Sequence, residues 1–188
     1  TSTPSPAASP SPTPTPTPTP QPTPVAEVPV EPAKSSALTA VSGLTVKGRA
    51  PKTGYSRELF GQAWFDTDRN GCDTRNDILR RDLAELKLKN DCKVLGGVLA
   101  PDPYTGQQIQ LEVGGTSQID IDHVVAMSDA WQKGAAQWDA SKRLAFANDP
   151  LNLLAVDASA NRSKGAGDTA TWLPPNKAYR CAYVARQV

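Results

Sequence analysis

From Thr3 to Thr23 the chain sets a proline at almost every second position with Thr or Ser between, and polypeptide of this kind cannot enter a folded core. Each proline ring fixes φ and removes a backbone donor, so neither helix nor sheet ladder can form, and there is no apolar face to bury. The pattern predicts an extended, disordered Pro/Thr/Ser-rich stalk over residues 1–36. Folding falls to residues 37–188, a stretch long enough to enclose its own hydrophobic centre without metal or disulfides. No run of about 18 apolar residues occurs, so no membrane span is expected. The chain starts with Thr1 and reads as a processed sequence that a secretion signal or lipid anchor once preceded. A stalk of this composition suits a protein released from a cell or held off its envelope, and that is the location expected.

The three cysteines, Cys72, Cys92 and Cys181, include no C-x-x-C pair, and His123 is the only histidine, so a structural zinc is not expected. Cys72 and Cys92 bracket a short segment with helical character, and a disulfide between them is expected, worth on the order of 3 kcal/mol in the chain-entropy model. Cys181 is then left as a buried free thiol, an intermolecular link, or half of a pair whose partner lies elsewhere. With Glu27, Glu31 and Lys34 set aside, the folding part carries 19 Lys and Arg against 17 Asp and Glu, so it is not a strongly basic protein. Only the end is cationic: Arg162, Lys164, Lys177, Arg180 and Arg186 stand against Asp168 alone.

Periodicity predicts a mixed α+β fold. Gly54–Phe65 is dense in aromatic residues and reads as core. Residues 77–88 place Ile78, Leu79, Leu83, Leu86 and Leu88 near helical spacing, which predicts an amphipathic helix. Short strands are expected at 95–99, 108–113, 118–125 and 151–156, and helices at 128–131 and 141–147. Ser159 is expected to cap a short helix from Ala160 that Gly165–Gly167 ends. A last helix from Asn176, with Ala178, Cys181, Ala182, Ala185 and Val188 on its inner face, is still running where the chain stops.

One strand therefore carries Asp120, Asp122 and His123, and a second strand leads into a short helix bearing Asn161 and Lys164. In that order, IDIDHVVAMSDAW, NDPLNLLAVDASANRSKGAGD and WLPPNKAYRCAYVARQV resemble the HNH (ββα-metal) endonucleases. They are most similar to a secreted bacterial branch related to the GmrSD-type nuclease domain. The upstream GYSRELFG and DTDRNGCDTRNDIL look like the same branch, so the resemblance runs from about Tyr55 to Val188.

The resemblance implies a ββα-metal core with additional helices and short strands, and a phosphodiesterase of low sequence specificity acting on DNA or RNA as a monomer. It implies products with 5′-phosphate and 3′-hydroxyl ends. His123 is the implied base, and it is the only side chain here whose ordinary pKa lies near neutrality. Asp122 and Asn161 are the implied ligands of one hard divalent cation, Mg²⁺ first, with Mn²⁺ or Ca²⁺ as alternatives. Lys164, one helical turn beyond Asn161, and Arg162 are expected to hold phosphate, as are Arg57 and Arg75 in the upstream motifs. Asn152 is implied to tie the loop between the strands. Asn161 stands where the name-giving pattern has His. Adjacent strand residues point to opposite faces, so the backbone must bend if Asp122 and His123 are to share one site.

Two other readings have some basis. Asp66, Asp68, Asn70 and Gly71 imitate the start of a calcium loop, which suggests a non-catalytic, calcium-stabilised envelope-binding module, but Asp77 stands where the closing Glu belongs, and a tight turn pinned by the disulfide is favoured. A glycosidase built on Asp120 and Asp122 is disfavoured, because alternate positions of one strand do not set two carboxylates across a sugar bond.

Overall fold

The computed structural model describes Thr1, residues 31–114 and residues 118–188, so the alternating-proline stretch lies outside the described residues. Helix α1, Glu31–Ser42, begins inside the expected stalk. After a 3₁₀ turn at Arg57–Phe60 come α2 (Thr74–Asp82), β1 (Ala84–Lys89), β2 (Lys93–Leu99), β3 (Ile109–Glu112) and β4 (Ile119–His123). Then follow α3 (Met127–Gln132), α4 (Ala140–Ala147), β5 (Leu153–Asp157), α5 (Ala158–Lys164) and α6 (Arg180–Gln187). The mixed α+β class is as expected.

The helix expected over 77–88 is corrected. α2 ends at Asp82, and Leu83 turns extended with φ −102° and ψ 144°. The remainder becomes β1, antiparallel to β2, with Lys89 opposite Lys93. Between them Asn90 and Asp91 hold φ of 53° and 56°, the left-handed pair that a tight hairpin needs and that Asn and Asp tolerate best. A closing hairpin overrode a spacing that also fits a helix. β3 completes this antiparallel sheet in the order β1-β2-β3. Cys72 and Cys92 form the expected disulfide, with Cα atoms 5.2 Å apart, and join the start of α2 to that hairpin. Beside it, Asp66 accepts from the Asn70 and Gly71 amides, while the Asn70 side chain donates to Asp68 and Asp77. The segment is a self-satisfied turn.

β4 and β5 form a separate antiparallel pair, with Asp120 opposite Val156, Asp122 opposite Leu154 and His123 opposite Leu153. α3 and α4 fill the connection between them, and α5 follows β5 without a gap. The cap of α5 is Asp157 and not Ser159: its carboxylate accepts from the Ala160 amide. One apolar cluster joins Leu79, Leu99, Ile119 and Leu153 between α2 and the two sheets. A second gathers Phe60, Met127 and Trp131 under α3. The third packs Tyr104, Val124, Val156 and Tyr183. In α6 the buried residue is Tyr183, which meets Tyr104 edge to face, whereas Cys181 is exposed, so the expected inner face is also corrected. A single large aromatic outweighed a stripe of small apolar residues, because it removes far more surface from water.

Candidate functional site

The end of β4 opens on a cleft of about 370 Å³, lined by Asp122, His123, Ser128 and Asn161, with Lys52, Tyr55 and Arg57 also on its wall. Asp122 and His123, adjacent on β4, both line this cleft. The β4–β5 register runs one step past His123, where the Val124 amide donates to the Asn152 carbonyl. The Asn152 side chain then clamps Val125, accepting from its N–H at 2.8 Å and donating to its carbonyl at 3.2 Å.

His123 is 8% exposed, and Trp64 lies parallel to its ring with centroids 6.3 Å apart. Its Nε2 is 2.8 Å from the Ala147 carbonyl at the end of α4. A carbonyl oxygen can only accept, so Nε2 carries the proton and, in the neutral ring, Nδ1 keeps a free lone pair. Burial pushes the imidazole down to about 4, with Arg57 and Lys164 pressing the same way against the Ala147 carbonyl. The ring is therefore uncharged at neutral pH and able to accept a proton.

Asp122 lies beneath α5. Its Oδ1 takes a bond from the Lys164 ammonium at 2.9 Å, and its Oδ2 accepts from the Tyr104 hydroxyl. Burial raises the carboxyl above the ordinary range, and Lys164 and Tyr104 oppose that rise. The role expected of Lys164 is corrected: its side chain has no exposure, and its ammonium also donates to the His123 carbonyl at 2.8 Å, so it cannot reach a bound phosphate. It fixes Asp122 and the end of β4 together. Asn161 is half-buried on α5, and its Nδ2 donates to Asp120 Oδ2 at 3.2 Å.

Of the expected phosphate contacts, Arg57 lines the cleft. Arg75, in the first turn of α2, and the exposed Arg162 are not among the lining residues. Residue types alone did not mark Tyr104, Lys52, Tyr55 or Ser128 for this site. Tyr104 sits between Pro103 and Gly106 among turn-forming residues, Tyr55 falls in the aromatic-rich stretch that reads as core, and Lys52 lies just before that stretch. The Ser128 hydroxyl is buried with no hydrogen-bond partner among the described residues.

The donor set suits a hard cation. A carboxylate oxygen that accepts one hydrogen bond retains a second lone pair, and nothing among the described residues donates to Asn161 Oδ1. No three His, Cys, Asp or Glu side chains gather into a metal-holding group among the described residues, so a cation at Asp122 and Asn161 would keep most positions open to water and substrate.

No solved structure matches the chain. Over 163 residues it is 40% identical to an uncharacterized secreted protein of Arthroderma benhamiae, a match covering 84% of this chain and 76% of the relative. Residues 73–188, which hold the whole β4–β5–α5 unit, match the family model of the C-terminal domain of GmrSD restriction endonucleases. The chain belongs to the GmrSD restriction endonuclease C-terminal domain family.

Proposed function

We propose that the protein is a secreted, metal-dependent endonuclease whose β4–β5–α5 unit is a ββα-metal (HNH) core cutting phosphodiester bonds of DNA, and of RNA where it meets it, with low sequence specificity. The observation that carries the reading is the convergence of a neutral imidazole with a free Nδ1, an acid and an amide on one open cleft. The family supports nuclease chemistry. The disulfide and the secreted relative support an extracellular setting, in which the protein acts as a monomer.

In this reading His123 Nδ1 takes a proton from the attacking water, while the Ala147 carbonyl holds the ring's other proton and steadies the imidazolium that forms. Asp122 and Asn161 hold one divalent cation, Mg²⁺ before Mn²⁺ or Ca²⁺. Such an ion supplies charge neutralisation at phosphorus and at the departing 3′ oxygen. Lys164 and Tyr104 orient Asp122, and Asn152 sets the direction in which the chain leaves His123. Arg57 and Lys52, which also line the cleft, present positive charge to the phosphate.

Digestion of double-stranded DNA, single-stranded DNA and RNA across a metal panel tests this. Wild type should cut with Mg²⁺ or Mn²⁺ and stop in EDTA, and His123→Ala should lose about 10²–10⁴-fold in rate while remaining folded. Equal cutting by His123→Ala, or none by wild type with any metal, would overturn it.

A further inference from the structure

We infer that Asp120 is a positioning residue for the cation site and acts through Asn161, an inference that rests on the metal-dependent reading above. An Asn side chain offers a cation its oxygen only if the amide is turned the right way, and its two ends differ little in shape. The neighbours decide. A carboxylate cannot donate, so Asp120 Oδ2, 3.2 Å from Asn161 Nδ2, holds the NH₂ end toward itself and leaves Oδ1 for a ligand. With Asp120 neutralised or removed, nothing else among the described residues bonds to that amide side chain.

Charge adds a second argument. Asp120 and Asp122 are two apart on β4 and share one face, the face on which α5 lies with Asn161 and Lys164. The Lys164 ammonium, 2.9 Å from Asp122 in a buried pair, offsets the negative charge there. No Lys or Arg among the described residues forms an ion pair with Asp120, whose charge therefore remains to attract a cation. A residue that turns and polarises a metal ligand typically changes affinity by 10–100-fold. The competing view is that the Asp120–Asn161 bond merely staples α5 to β4.

Mn²⁺ binding to the full chain, measured by isothermal titration calorimetry, separates the two when thermal midpoints are also taken in EDTA. Asp120→Ala should bind Mn²⁺ about ten-fold or more weakly than wild type, with its metal-free midpoint unchanged. Asp120→Asn, which keeps an accepting oxygen and loses the charge, should fall between them. Wild-type affinity in Asp120→Ala, an Asp120→Asn no tighter than Asp120→Ala, or an Asp120→Ala that unfolds or melts early in EDTA would each overturn the inference. A wild type that takes up no Mn²⁺ would defeat the metal reading itself, whereas equal uptake by wild type and Asp120→Ala defeats this inference alone.

Discussion

At the residue scale two buried ionisable groups, His123 and Lys164, govern the site, and each makes a prediction about stability. The folded value near 4 for His123 lies below the ordinary 6.5, so the folded state resists taking up the proton that the unfolded chain accepts. Its contribution is fully present above pH 6.5 and is lost as pH falls toward 4, an effect on the order of 3 kcal/mol. Urea unfolding of the metal-free protein between pH 7.5 and 4 should show that decline, and His123→Gln should flatten it. An identical slope in the variant would show that other groups carry the titration. Lys164 is the opposite case, a charge whose presence is needed. Lys164→Met leaves the buried Asp122 carboxylate facing only Tyr104, and a loss of about 3–5 kcal/mol is expected in the same measurement. A loss below about 1 kcal/mol would mean that Asp122 becomes protonated at little expense.

At the element scale the disulfide ties the start of α2 to the β1–β2 hairpin. Reducing it, or replacing both cysteines by alanine, should cost about 3 kcal/mol in the unfolded-chain entropy it restrains, read as a lower urea midpoint with cleavage still measurable. The strand bearing Asp120, Asp122 and His123, a partner strand expected at 151–156 and found at Leu153–Asp157, and the short helix with Asn161 are legible, because alternation and a glycine end leave few other folds for those segments. Leu83, Leu86 and Leu88 were misread, since their spacing satisfies helix and strand alike until the hairpin turn at Asn90 and Asp91 decides. The site was legible in its motif residues and illegible in their supports. Tyr104 bonds to Asp122 across 18 positions and Lys52 reaches the cleft from outside the motifs, and such long-range partners leave no periodic mark.

At the scale of the whole folded unit, Arg49, Asp129, Lys133 and Asp168 form one cluster of ion pairs, with separations of 2.7–3.2 Å. It joins the segment before the 3₁₀ turn to α3 and to the loop after α5. Although burial pushes the Asp168 carboxyl upward, bonds from Lys133 and Thr171 outweigh it and hold the group down to about 2. The support it lends is present above the ordinary value of 3.8 and disappears as pH falls toward 2. Hydrogen exchange should therefore find residues 43–53 and 165–172 opening together in Asp168→Asn at pH 7, while the β4–β5 amides stay protected. Unchanged exchange in both segments would show that packing alone holds them.

The proton on the His123 ring is held by a main-chain oxygen. Every amino acid at position 147 supplies that oxygen, so no ordinary exchange of side chain there can take the partner away. The orientation of the base is thereby shielded from point mutation at its own contact and exposed to anything that shifts the α4 backbone, such as a deletion within the 140–147 helix. Among drifting homologues, this chemistry should tolerate any small residue that fits the packing opposite the ring, and fail where the α4 backbone shifts.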